Sequence, residues 1–249
     1  MQSHWQTLGR SVFIANLDPA ADDLPYEPIF DVRELISAGD AAEELGLGPN
    51  GALLFALEFA ADQSEWLESM IDGYGTYDIL LLDCPGQIEV TAHVPVLPRI
   101  LNTLRRAGWA VATAWLLDAT FATDAAKLTA GRVAALAAMI HLECPHVNIL
   151  SKADLALPGA IEAALAPTGD TLAAALDSGA PPKWRAMHRA LADLLDEWSY
   201  VSFRPLDPTD EQSITTVGAA LDQCIAYGED MEPKNLAEDD AGASEAASY

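Results

Sequence analysis

Short apolar runs recur along the chain, each closed by polar or turn-forming residues and separated from the next by longer stretches of helical character. Five of them read as strands: Ser11 to Ala15, Tyr77 to Leu82, Val111 to Leu117, Val147 to Leu150 and Tyr200 to Phe203. Ile79 to Leu82 has no polar alternation, as expected of a strand in a parallel sheet covered on both faces. Ala122 to Ile140, rich in Ala, Leu and Met with few breakers, predicts a long helix with Met139 in the core. The alternation of strand and helix patterns is the α/β signature. From Leu155 to Pro182, helical pieces are interrupted by Pro-Gly, Thr-Gly-Asp and Pro-Pro, which predicts a surface insertion.

Candidate chemistry lies where the runs stop, since folds of this class keep their chemistry at the carboxyl ends of strands. The run Ile79 to Leu82 ends in Asp83-Cys84-Pro85-Gly86-Gln87. Asp83 can hold Mg²⁺ through water, the Pro85-Gly86 turn lets backbone approach a γ-phosphate, and the Gln87 amide can orient an attacking water. The plainer alternative is strand-to-turn punctuation with a solvent-facing Asp. Val147 to Leu150 ends in Ser151-Lys152-Ala153-Asp154, which resembles the guanine-specificity motif of GTPases. Asp154 can accept two hydrogen bonds from the guanine edge, a geometry that adenine does not offer. The aliphatic stem of Lys152 can lie over the base. Here the alternative is a helix N-cap at Ser151 or Asp154.

Upstream, Asn16-Leu17-Asp18-Pro19-Ala20 follows the first run, and Asp18 then Pro19 fits an N-cap followed by Pro at the first helical position. The functional reading places Asp18 near a γ-phosphate and its attacking water. Gly46 to Gly51 reads as a glycine-rich loop leading into the apolar stretch Ala52 to Ala60.

Taken together, these motifs resemble the GPN-loop GTPase family. The residues that carry the resemblance are Asn16 to Ala21, Asp31 to Ile36, Gly48-Pro49-Asn50-Gly51, Asp83 to Glu89 and Tyr227-Gly228-Glu229-Asp230, in family order. The resemblance runs from about Gly9 to about Glu232 and implies a P-loop NTPase-like α/β fold of the signal-recognition-particle and MinD (SIMIBI) type, a parallel sheet wrapped by helices. It implies one GTPase domain over 1–232, with a helical elaboration at about 155–198 and an acidic, disordered tail over 233–249. It further implies GTP with Mg²⁺ as ligands, dimerisation with a sister GPN-loop subunit, and a role in the assembly and nuclear import of RNA polymerase II. In the family the Gly48-Pro49-Asn50 loop reaches across the dimer, so Asn50 is expected to act in the partner's pocket. Asp18 and Gln87 would act at the γ-phosphate, Asp83 at the metal, and Ser151, Lys152, Ala153 and Asp154 at the base.

One family feature has no counterpart in these residues. None of the lysines at 127, 152, 183 and 234 follows a glycine, so the chain contains no Gly-Lys of a phosphate loop. The resemblance then implies a sheet whose first strand and phosphate loop are missing, leaving backbone groups of neighbouring strands unpaired. The expectation is weak or no GTP binding by these residues and no useful hydrolysis. Two readings stay open: a GTPase completed by further N-terminal sequence, and a nucleotide-incompetent subunit that lends Asn50 to a competent sister.

With 249 residues, 51% of them hydrophobic, one large domain can be built. The cysteines, Cys84, Cys144 and Cys224, form no CxxC and read as reduced thiols, and the histidines show no metal-ligand spacing. A net charge of −25 argues against nucleic acid or an anionic membrane as direct partner and for basic protein surfaces. Glu229 to Tyr249, with Glu238, Asp239 and Asp240 among Ala, Gly and Ser, is expected to be disordered. The apolar runs read as too short or too interrupted to span a bilayer, so the expectation is a soluble cytoplasmic protein, with shuttling to the nucleus implied by the family. Arg33, Arg99, Arg105 and Arg106 are candidates for a finger supplied in trans, an ordinary surface or ion-pair role being the default.

Overall fold

The computed structural model describes residues 1–157, 159–165, 169–198 and 202–229. The elements in chain order are α1 (Gln2–Thr7), β1 (Val12–Asn16), α2 (Ala38–Leu45), α3 (Pro49–Asp62), α4 (Ser64–Ile71), β2 (Ile79–Asp83), α5 (Ile88–Ala92) and α6 (Val96–Arg106). There follow β3 (Thr113–Asp118), α7 (Ala125–Leu142), β4 (His146–Ser151), α8 (Ala160–Leu165), α9 (Gly169–Asp177), α10 (Arg185–Glu197), β5 (Phe203–Pro205) and α11 (Glu211–Cys224). Each predicted strand is present, and where its ends fall on described residues they are displaced by one or two positions. Tyr200 and the stretch from 230 onward, which hold the expected start of the last strand and the expected disordered tail, lie outside the described residues.

All strand pairs are parallel, and they form two groups: β1 beside β2, and β3, β4, β5 side by side. Helices cover both. Ala15, Leu80 and Leu82 pack under Leu53 and Leu57 of α3 and Ile100 and Leu104 of α6. On the opposite face, α11 sets Val217 and Ala220 against Val147 and Ile149 of β4. Its Leu221 joins Trp5, Val12 and Ile79. A single helix thus lines both strand groups, which is why the strands read as continuous apolar runs. The outer side of β1 is closed by the returning chain, with Ile29 N–H on the Ile14 carbonyl and Asn16 N–H on that of Phe30. Among the described residues β2 has no strand partner on the side away from β1, and β3 none on the side away from β4. Leu116 of β3 is 60% exposed.

The long helix α7 is started by Asp124, whose carboxylate accepts the N–H groups of Ala126 and Lys127. It packs on β3 through Gly131, where a Cβ would lie 2.6 Å from Leu117 Cδ2. Met139 packs against this core, as expected. By length and composition α7 is long and apolar enough to cross a membrane, which corrects the expectation that no run qualifies. Here it buries Leu128, Ala135 and Leu136 in the same cluster as Leu117, Leu150 and Phe203. The 155–198 region supplies α8, α9 and α10, the last two packed through Leu172, Leu176, Ala192 and Leu195.

The late Tyr227-Gly228 motif has a structural task. Arg10 makes a bidentate pair with Asp222 at 2.7 and 2.9 Å, and its guanidinium lies 4.5 Å from the Tyr227 ring centroid. The Tyr227 hydroxyl donates to the Tyr77 carbonyl at 3.2 Å. The end of α11 is thereby tied to the start of β1 and to the segment before β2.

Candidate nucleotide site

The parallel register brings Asn16 opposite Asp83 and Asp118 opposite Ser151, so each strand group gathers polar residues at its carboxyl end. In the first group Leu17 N–H donates to the Asp83 carbonyl at 2.8 Å, which carries the chain from β1 directly past β2. Asp18 is half-buried, and Asp83 and Cys84 are exposed. Although Cys84 as a whole is exposed, its sulfur turns in to the Leu82 carbonyl at 3.7 Å, and desolvation there, followed by the field of Asp83 and Asp18, pushes the thiol upward and disfavours a thiolate nucleophile.

The position of Asp18 is set from below by Asn16, which is fully buried. The Asn16 amide nitrogen donates to Asp31 Oδ1 at 2.9 Å and to the Asp18 carbonyl at 3.1 Å, and its oxygen accepts the Asp18 N–H at 2.9 Å. Asp31 also accepts three hydrogen bonds from the Arg33 guanidinium and one from the Arg33 backbone. Burial alone would raise the Asp31 carboxyl, but the bonds from Arg33 and Asn16 hold it below the usual carboxylate range. Arg33 Nη1 further donates to the carbonyls of Ala21 and Asp22. Arg33 is therefore a strut of this loop rather than a free finger. The other candidate arginines are also engaged: Arg99 with Asp62, Arg105 with the Glu143 carbonyl and Arg106 with Thr103.

The expected helix beginning at Pro19 is a turn. Asp18 Oδ1 accepts the Ala20 N–H and its carbonyl the Ala21 N–H, so Asp-Pro opens a β-turn and no periodic segment follows to extend it. Gln87 precedes α5, and its side-chain oxygen is buried without a partner. Asn50 lies in the first turn of α3, with Gly48 at the N-cap and Pro49 at the first helical position, so part of the expected loop is helix. Asn50 is exposed.

In the second group Ser151, Lys152, Ala153 and Asp154 form a tight turn at the end of β4. Lys152 sits at φ +58, Ser151 Oγ donates to the Leu117 carbonyl at 3.2 Å, and Ala153 N–H donates to the Leu206 carbonyl at 3.1 Å. Lys152 Nζ bonds Asp118 Oδ2 at 2.9 Å, which draws its ammonium to the end of β3. That bond, aided by Thr120, lowers the Asp118 carboxyl to about 2. Asp154 is exposed and makes no hydrogen bond or ion pair among the described residues. The chain leaving β5 lies alongside, with a turn in which Asp207 accepts the N–H and hydroxyl of Thr209.

The sequence reading missed Tyr26, whose hydroxyl donates to Asp83 Oδ2 at 2.6 Å. That contact lifts the phenol well above its ordinary range, through desolvation first and then the Asp83 bond. It also missed Asp118, although Leu116-Leu117-Asp118 repeats the pattern of an apolar run closed by Asp seen at Asp83.

The residues present suit a hydrated Mg²⁺ beside phosphates. Asp83 and Asp18 offer hard oxygen donors, and among the described residues no group of three or more His, Cys, Asp or Glu forms a cage of its own. Mg²⁺ at nucleotide sites uses one or two carboxylates with water and phosphate oxygens.

A family profile described as conserved hypothetical ATP binding protein matches residues 1–227. The chain is 40% identical to a GPN-loop GTPase 3 of Mycosarcoma maydis over 253 residues, 96% of this chain and 90% of that protein. It is also 40% identical to a GPN-loop GTPase 3 of Danio rerio, over 96% of this chain and 86% of that protein. A crystal structure of a GTPase in apo form from Pyrococcus abyssi superposes with a TM-score of 0.71 at 23% identity, covering 88% of each chain, and carries the same α/β fold. With matches of this extent, the chain belongs to the GPN-loop GTPase family, a family of nucleotide-binding proteins.

Proposed function

We propose that the chain is a subunit of a dimeric guanine-nucleotide switch, taking GTP with Mg²⁺. The observation that carries the guanine reading is Asp154, an exposed carboxylate with no partner among the described residues, on a turn fixed by Ser151 and Ala153. A carboxylate so placed matches two adjacent donors, which guanine has and adenine lacks. Asp83 would hold the hydrated cation, which when bound neutralises phosphate oxygens. Asp18 and Gln87 would orient water at the terminal phosphate, Gln87 through an amide oxygen that no group among the described residues claims. Dimerisation is supported by the outer face of α3, where Phe55 and Phe59 stack while more than a third exposed, next to the turn that presents Asn50. The role in RNA polymerase II assembly and import, with polymerase subunits as partners and passage between cytoplasm and nucleus, rests on the family resemblance alone.

Two observations favour a second reading, in which these 249 residues do not hydrolyse GTP unaided: no Gly-Lys pair occurs, and among the described residues β2 and β3 each keep a bare edge. Losing three charge-assisted phosphate contacts removes about 5–9 kcal/mol, or roughly four to six decades of affinity. Phosphate release from GTP by the purified chain, alone and mixed with a sister GPN-loop subunit, separates the readings. Release by the mixture beyond that of the sister, lost with Asn50→Ala, supports the switch subunit. Turnover by the chain alone at the mixture's rate would sink the second reading, and a mixture no faster than the sister alone would sink the first.

A further inference from the structure

Residues 17–31 leave β1 and return beside it, anchored at both ends: Asn16 and Arg33 fix the start, and the bonds of Ile29 and Asn16 to the opposite carbonyls fix the return. Between these anchors, residues 23–28 contain Pro25 and Pro28 and no helix or strand. Among the described residues one hydrogen bond holds this tip, from the Tyr26 hydroxyl to Asp83 Oδ2 at 2.6 Å. Tyr26 is half-buried and Asp83 exposed, so a hydrated ion can reach the same carboxylate. A short O–H to carboxylate bond is charge-assisted and among the stronger neutral-donor contacts. It uses acceptor capacity that a water of a hydrated cation would also need, and it positions the tip of the loop whose first residues carry Asp18.

We propose that Tyr26 is a positioning residue that latches the 23–28 tip onto Asp83 in the cation-free chain and is displaced when a hydrated divalent cation takes that carboxylate. The cation then reports its presence to the Asp18 loop through a single exchanged hydrogen bond. This rests on the reading of Asp83 as the cation's carboxylate. It follows that the latch and the cation compete, so removing the hydroxyl strengthens cation binding, whereas loss of a merely structural contact would weaken it or leave it unchanged.

The test uses Mn²⁺, a hard oxygen-seeking probe visible by electron paramagnetic resonance, titrated into the full 249-residue chain at fixed ionic strength. Asp83→Asn identifies the class of bound Mn²⁺ that depends on Asp83. Tyr26→Phe, which keeps the ring and removes the hydroxyl, should tighten that class about threefold to tenfold. Hydrogen exchange of residues 19–30 should rise when Mn²⁺ is added to the wild type and be already raised, without further response, in Tyr26→Phe. An Asp83-dependent class that Tyr26→Phe leaves unchanged or weakens overturns the latch and leaves the cation reading standing. Mn²⁺ binding indifferent to Asp83→Asn overturns the cation reading and the latch with it.

Discussion

Removing the Asn16 amide should cost more stability than any polar substitution on the surface of this protein. Asn16 is fully buried at the end of β1 and makes three hydrogen bonds, one to the Asp31 carboxylate and two to the backbone of Asp18. A bond to a charged group contributes about 1.5–3 kcal/mol and a neutral one about 0.5–1.5 kcal/mol. Asn16→Ala should therefore lose roughly 4 kcal/mol, within about 2.5–6. For a chain of this size that corresponds to a fall in Tm of about 8–16 °C. Asn16→Asp keeps the shape but sets a carboxylate oxygen where Nδ2 now lies 2.9 Å from Asp31 Oδ1. Two carboxylates so close raise one folded-state pKa above its unfolded value, so this variant loses stability as pH rises through the raised value and regains it on acidification. Urea unfolding of both variants between pH 5 and 8 reads the two effects. A loss below about 1 kcal/mol for Asn16→Ala, or an Asn16→Asp variant insensitive to pH, would refute the network's role in holding Asp18.

Three further outcomes follow from the same geometry. The Asp118 carboxyl, held at about 2 first by Lys152, contributes stability that is present above the ordinary carboxyl value and fades as pH falls toward 2. In Lys152→Met its titration, followed by carboxyl-carbon NMR, should move up toward the ordinary range. Arg10→Ala breaks a bidentate pair whose side chains are each 20% exposed and should cost about 2–3 kcal/mol by urea denaturation. Arg10→Lys should recover less than half of that, because a point charge keeps neither the fork nor the stack on Tyr227. Asn50→Ala, at an exposed position of α3, should leave unfolding of the isolated chain within about 0.5 kcal/mol while weakening phosphate release by the mixed dimer.

The strands were legible because each is an apolar run closed by a polar residue, such as Asn16 after Ala15, Asp83 after Leu82 and Ser151 after Leu150. The same closure put Asp83 and Asp154 among the candidates from sequence. What sequence did not reveal is pairing at a distance. Tyr26 sits in a proline-bearing loop 57 residues before Asp83, and no local pattern links them. For Lys152 the sequence suggested a stem that can lie over a base, and only the fold shows the acid at the end of β3 that engages its ammonium. Arg33 was a candidate finger by residue type alone, and only the fold shows its guanidinium on Asp31 and two loop carbonyls. Asp18-Pro19 was misread because the dipeptide suits both a helix start and a turn, and the decision lies in the residues after it.

The proposed guanine-nucleotide site has Asp154 at its base end and Asp83 at its cation end. Its most direct test is a titration of the 249-residue chain with a fluorescent GTP analogue and Mg²⁺, with unlabelled GTP and ATP as competitors and Asp154→Ala alongside. Such a site should bind weakly, needing on the order of millimolar nucleotide because phosphate contacts are few, with the analogue displaced by GTP far better than by ATP and binding abolished by Asp154→Ala. Micromolar binding displaced equally by ATP, and indifferent to Asp154→Ala, would contradict it.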